Sequence, residues 1–190
     1  MNEHGNLGGR GRKWLPFLLG LAIVVLDQIL KAIIVLNIPM NSIGAEVIGD
    51  FFRIIHVRNT GIAFSLGDDL EAPVRLFLFV LFPSAVLIGL SVYSVRSHEV
   101  TKFQRWVIAA IVGGGFGNLI DRIFRPEGVV DFLDFKFYGI LGMERFPTFN
   151  LADSSLVVSG ILLLLSLILP PAKSRLEEPE NRETQELGNE

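Results

Sequence analysis

Five aspartates stand where carboxylate chemistry can operate in an otherwise apolar chain: Asp27, Asp121, Asp131, Asp134 and Asp153. Two carboxyls that share one proton can hydrolyse an amide. The ionised member takes a proton from water, the protonated member hydrogen-bonds the scissile carbonyl, and mutual repulsion keeps the second from ionising. Competing chemistries fall away on composition. With no cysteine, a thiolate nucleophile, a disulfide and a thiolate metal site are all excluded. Ser65, Ser154 and Ser155 have no suitable histidine, because His4 and His98 fall in segments assigned to the opposite side and His56 stands alone in an extended stretch. A Ser–His triad is not supported. No H-E-x-x-H occurs, so no metal is expected, and nothing resembles a nucleic-acid site.

The elements that must position these carboxyls are membrane helices. The chain has 190 residues, 50% of them hydrophobic, with the apolar residues gathered into four blocks. These blocks run from Trp14 to Leu36, Val74 to Val95, Trp106 to Ile120 and Leu151 to Leu169. Each approaches the roughly 20 residues a helix needs to cross the hydrocarbon core. Arg10, Arg12 and Lys13 precede the first block, Arg96, Lys102 and Arg105 separate the second and third, and Lys173 and Arg175 follow the fourth. With four spans all three clusters fall on one side, which the positive-inside rule makes cytoplasmic. The first block is expected to stay uncleaved, because it is long and carries Asp27, Gln28 and Lys31. Residues 1–13 are expected to be a disordered basic N-terminus and 171–190 a disordered acidic tail, leaving 14–170 as one membrane-embedded domain.

Two segments then lie outside the membrane on the far side. The first, from about Asn37 to Pro73, contains Glu46 to Arg58, rich in β-branched and aromatic residues, and predicts short strands at the membrane surface. The second, from about Phe124 to Pro147, includes Val129-Val-Asp-Phe-Leu-Asp-Phe135 and predicts extended or irregular chain.

Each polar cluster also has a structural explanation. Asp27 and Lys31, four apart, form one helix face and suit an ion pair whose lysine snorkels to the interface. Gly113 to Gly117 suit close helix–helix contact. Asp121 and Arg122 suit a charged helix end at the outer surface, and Asn150 with Asp153 a helix N-cap. Ionisable groups near the bilayer centre cost about 2.5–3.5 kcal/mol on the insertion scale, so each requires a purpose. The topology places all these clusters toward the same outer half.

Five blocks settle on one family. Asp27-Gln-Ile-Leu-Lys31, Asn59-Thr-Gly-Ile-Ala-Phe-Ser65, Gly113-Gly-Gly-Phe-Gly-Asn-Leu-Ile-Asp-Arg122, Val130-Asp-Phe132 and Phe149-Asn-Leu-Ala-Asp-Ser154 resemble, in that order, the signature blocks of lipoprotein signal peptidase, or signal peptidase II. The resemblance implies an aspartyl endopeptidase of four helices with a small extracytoplasmic β-element. It implies removal of the signal peptide from prolipoproteins, just before a cysteine already carrying a diacylglyceryl group, without a cofactor. Asp131 and Asp153 match its catalytic pair. Asn59, Asn118, Arg122 and Asn150 match residues that line the site, hold substrate or hold the aspartates, and Asp27 and Asp121 match further supporting aspartates. Asn118, Asn150 and Arg122 are expected to donate hydrogen bonds to the carboxylates or the developing oxyanion.

Three departures stand out. Ile62 replaces a usually small residue, Phe146 replaces a frequent Trp before Pro147, and Leu-Asp-Phe at 133–135 makes Asp134 a rival to Asp131. The expected setting is the bacterial inner membrane, with both termini cytoplasmic, the site near the periplasmic face, and a monomer as the working unit. The competing classes are a small transport subunit or a scaffold, in which the Asp, Asn and Arg cluster serves structure alone.

Overall fold

A computed structural model describes residues 13–61 and 71–169. The expected N-terminal and C-terminal tails, Ile62 and Ser65 lie outside these residues, except that Lys13 begins a helical turn. Four helices are long and apolar enough to cross a membrane: α1 (Phe17–Asn37), α2 (Ala72–Arg96), α3 (Lys102–Phe124) and α4 (Leu151–Ile168). Between α1 and α2, strands β1 (Ser42–Asp50) and β2 (Phe52–Asn59) form a hairpin, and β3 (Val129–Phe135) follows α3. The sheet is antiparallel in the order β1-β2-β3. Four spans and a small extramembrane sheet were both legible in the residue pattern. The pairing of β3 with β2 was not, because the segment was expected to be only extended or irregular.

The helix boundaries follow local chemistry. α3 begins at Lys102, four residues before Trp106, because Thr101 caps it: Thr101 Oγ1 accepts from the Gln104 backbone N–H at 3.2 Å and Gln104 Oε1 accepts from the Thr101 N–H at 3.0 Å. A hydropathy block cannot see such a polar first turn. α2 contains a π-helical turn, Phe77–Leu81, directly before Pro83. A proline inside a helix removes one backbone donor, and a π turn relieves the clash of its ring with the preceding turn. Ser84 Oγ donates to the Val80 carbonyl at 2.6 Å and so occupies one carbonyl of that irregular stretch.

α3 is the central helix: α1, α2 and α4 all pack on it. Its glycines make that possible. A Cβ on Gly113 would stand 2.5 Å from the Gly20 carbonyl oxygen of α1, and one on Gly114 2.6 Å from the Ala152 oxygen of α4. Both obstacles are backbone and cannot swing aside. Gly160, by contrast, has nothing within 4 Å of such an atom. Gly113→Ala is therefore expected to destabilise by about 1–3 kcal/mol through overpacking, whereas Gly160→Ala should stabilise by about 0.5–1 kcal/mol through helix propensity. Unfolding midpoints in detergent check the contrast, and equal effects of the two substitutions would refute the close contact.

The sheet rests on the same end of the bundle. Val130 and Phe132 of β3 pack with Ile34 of α1. Alternation along the strand turns Asp131 to the opposite face. Asp134, the rival carboxylate, is occupied elsewhere. It accepts from Arg53 Nε at 2.8 Å and Arg145 Nε at 2.8 Å, and those guanidiniums hold it below the usual carboxylate range against the opposing effect of burial.

Candidate active site

Two carboxyls from different elements meet where α3 and α4 adjoin β3. Asp153 lies in the first turn of α4, whose N-cap is Asn150. Asn150 Oδ1 accepts from the Asp153 N–H at 2.9 Å, and Asp153 Oδ2 accepts from the Asn150 N–H at 3.1 Å. The capping box expected from the sequence is therefore present, and it does more than start a helix. Asn150 Nδ2 also donates to Asp131 Oδ1 at 2.7 Å. One cap residue thus touches both carboxyls.

The chain before the cap is pinned to β3. The Phe149 carbonyl accepts from Phe132 N at 3.1 Å and Leu133 N at 2.9 Å, and Phe149 N donates to the Leu133 carbonyl at 3.2 Å. This short antiparallel contact places Asn150 beside Asp131. On the other side, Asn59 at the end of β2 donates from Nδ2 to Asp131 Oδ2 at 3.2 Å. The turn after α3 closes against that point. Gly128 has φ of +102°, and a Cβ there would stand 2.5 Å from the Asn59 carbonyl oxygen, so only glycine fits.

Asp131 is 1% exposed. Burial first, and then the charge of Asp153, push its carboxyl up to about 7, against the hydrogen bonds from Asn59 and Asn150 that favour its anion. Asp153 is only partly buried, which makes its side of the pair the more accessible one.

Beneath the pair lies a second polar layer centred on Lys31. Its ammonium has three protons, and three acceptors surround it: Asp27 Oδ2 at 2.8 Å, Asp121 Oδ2 at 2.9 Å and Asn118 Oδ1 at 3.0 Å. Lysine cannot accept, so Asn118 must face it with its carbonyl oxygen. That fixes the amide, and Asn118 Nδ2 donates to Asp153 Oδ1 at 2.7 Å. Asn150 Nδ2 meets the same Asn118 oxygen at 3.0 Å. The two supporting aspartates hold backbone as well. Asp27 Oδ1 accepts from Ala152 N at 3.0 Å, next to Asp153, and Asp121 Oδ2 accepts from Val130 N at 3.2 Å, next to Asp131. Gln28 bridges Asp27, the Gly117 carbonyl and Asp121.

The structure thus brings together Asn59, Asn118, Asp131, Asn150 and Asp153, with Asp27 and Asp121 behind them. One expectation needs correction. Lys31 does not snorkel; it is 0% exposed, as are Asp27 and Asp121. Two carboxylates and the Asn118 oxygen take all three of its protons, which offsets the cost of burying the ammonium. Arg122 does not hydrogen-bond either carboxyl. Its Nη2 donates to the Gly61 carbonyl at 2.9 Å, and its guanidinium lies 4.8 Å from the Phe79 ring centroid, so only its field reaches Asp131 and Asp153. Lys31 and Gln28, both within the Asp27-Gln-Ile-Leu-Lys31 block, join the site although the sequence reading does not place them there. The signal was present: a lysine within a helical span, one turn from an aspartate, needs partners. Among the described residues no group of three His, Asp or Glu side chains is placed to hold a metal ion.

Fold and site together define a polytopic membrane protein with a buried acid pair where its helices meet a small sheet. Residues 19–169 match the family model described as Signal peptidase (SPase) II. The lipoprotein signal peptidase of Treponema denticola is 51% identical over 162 residues, covering 85% of this chain and 93% of that one. The enzyme of the same name from Treponema pallidum is 43% identical, covering 82% and 84%. A bacterial membrane enzyme solved by the in meso method at 2.3 Å resolution matches with TM-score 0.69 at 30% identity, covering 81% of this chain and 87% of that one. The chain belongs to the signal peptidase II family and is a multi-pass bacterial membrane protease.

Proposed function

We propose that this protein removes the signal peptide from diacylglyceryl-modified prolipoproteins, cutting just before the lipidated cysteine with water activated by Asp131 and Asp153. The observation that carries this reading is the pairing of Asp131 on β3 with Asp153 on α4 through the single cap residue Asn150. Asp131, sealed and pushed up to about 7, holds the shared proton at rest. Asp153 faces water and takes a proton from it as the water oxygen bonds to the scissile carbonyl carbon. Asp131 donates a hydrogen bond to the carbonyl oxygen, stabilising the tetrahedral adduct. Collapse breaks the C–N bond, and the proton held by Asp153 passes to the departing nitrogen. Asn59, Asn118 and Asn150 hold the carboxyls in register.

The location suits the substrate. A cysteine bearing two acyl chains stays in the bilayer, so a site at the end of the helices, beside the sheet, receives it without extraction. This end is the periplasmic one under the positive-inside rule, with both termini cytoplasmic and the chain working as a monomer.

The test is cleavage by the purified full chain of a prolipoprotein with and without the diacylglyceryl group, with the new N-terminus identified by mass spectrometry. Cleavage before the lipidated cysteine is expected, and an inert protein or a cut elsewhere refutes the proposal. The rate should fall as pH rises through about 7, because the pair then loses its shared proton. Stability should move the same way. The native Asp131 retains a proton that the unfolded chain, with a carboxyl near 3.8, has already lost, so its contribution is fully present below 3.8 and declines as pH rises toward about 7. A rate that climbs steadily through neutrality would contradict the shared proton.

A further inference from the structure

Between the start of α2 and the end of α3, a cavity of about 160 Å³ is lined by Arg75, Arg122 and Arg125, with Thr60, Gly128 and four apolar side chains, Phe79 among them, forming the rest of the wall. Its described lining includes no carboxylate. Arg125 pairs with Asp121, but Asp121 already serves Lys31. Arg75 and Arg122 make no ion pair among the described residues. They repel one another, and each is seen to donate to a single backbone carbonyl, that of Thr60 at 3.2 Å and that of Gly61 at 2.9 Å. A fourth guanidinium adds to the excess. Arg58 reaches the Gly128 carbonyl at 3.4 Å, and its buried Nε has no partner among the described residues.

Positive charge gathered at the end of a membrane bundle, in excess of the carboxylates that line the cavity among the described residues, calls for an anion. Guanidinium forks suit planar or tetrahedral oxyanions, which they bind through paired N–H donors. Size narrows the choice: the cavity falls below the roughly 300 Å³ at which pockets for drug-sized molecules begin. Position narrows it further. Arg75 lies one turn into α2 and Arg125 immediately follows α3, so the cavity sits at the end of two spans, where a bilayer presents its headgroup phosphates.

We propose that this cavity is a phosphate-binding site that takes the phosphate diester of an anionic phospholipid headgroup. It seats a bilayer lipid beside the acid pair and is independent of the peptidase chemistry, so cleavage is not its readout. The test is native mass spectrometry of the full chain released from micelles containing phosphatidylglycerol or diacylglycerol, which lacks phosphate, with unfolding midpoints recorded alongside. One retained phosphatidylglycerol is expected, with diacylglycerol lost. Arg75→Gln should weaken retention by about tenfold, or about 1.4 kcal/mol. Arg75→Lys, which keeps the charge but not the fork, should fall between and serves if the glutamine variant fails to fold. Equal retention of the two lipids, or wild-type retention by both variants, overturns the proposal. Inorganic phosphate that raises the midpoint alone and displaces the lipid at millimolar concentration would assign the cavity to free phosphate and overturn the lipid source.

Discussion

Asp131→Asn and Asp153→Asn should each abolish cleavage of a diacylglyceryl-modified prolipoprotein while leaving the four helices folded. The amide of asparagine neither takes a proton from water nor delivers one to the leaving nitrogen. Positioned proton transfer, proposed for Asp153, contributes about 10²–10⁴-fold to rate, and the hydrogen bond proposed from the Asp131 carboxyl to the developing oxyanion about 10²–10³-fold. A loss on the order of 10³-fold or more in kcat, with little change in KM, is therefore expected from either substitution. The double variant should lose hardly more than a single one, since the pair acts as a unit. Asp134→Asn is the control. Asp134 is three residues from Asp131 in the same strand but is bound to Arg53 and Arg145. Its loss should cost stability and spare the rate. Wild-type cleavage by either Asp131→Asn or Asp153→Asn would remove the proposed mechanism, and the structural role of the cluster would then come forward.

Lys31→Met is expected to be the most destabilising single change in the protein. It removes the one cation shared by Asp27 and Asp121, both wholly buried, and leaves Asp27 with no cationic partner among the described residues. Breaking a buried pair from one side costs about 3–5 kcal/mol, because the remaining charge has no solvent to receive it. Adding Asp27→Asn should recover part of that loss, which a double-mutant cycle on unfolding in mixed micelles would measure. The consequence also reaches the acid pair. Without Lys31 the Asn118 oxygen keeps only its bond from Asn150, so the aim of Nδ2 at Asp153 is held less firmly and any folded fraction should cleave more slowly. A Lys31→Met protein as stable as wild type would mean the ammonium does not bind this layer together.

The cavity behind Arg122 bears on both experiments. Arg122 touches neither carboxyl, and its bond to the Gly61 carbonyl ties the end of β2 to α3. Substitutions there would disturb the strand that carries Asn59 and the proposed phosphate site together. Arg75 is the cleaner probe, because none of its recorded bonds reaches the acid pair.

Much of this protein was determined by its sequence alone. Four apolar blocks can only be spans, because an unpaired backbone in lipid is too costly for any other arrangement. Asn150 followed three residues later by Asp153 marks a helix start, because cap chemistry is local. The small residues from Gly113 to Gly117 announced a close helix contact, and Asp27 with Lys31 an ion pair, since both depend on spacing along one helix. What depended on distant segments could not be seen. The pinning of Phe149 to β3 sets Asp153 beside Asp131, and no local propensity encodes a contact between strand and helix start. The third partner of Lys31, the separate occupation of Asp134 by two arginines, and the turn of Arg122 away from the carboxyls were likewise decided by tertiary packing. Each is a choice among several chemically equivalent partners, and only the folded geometry determines which of them lies within hydrogen-bond reach.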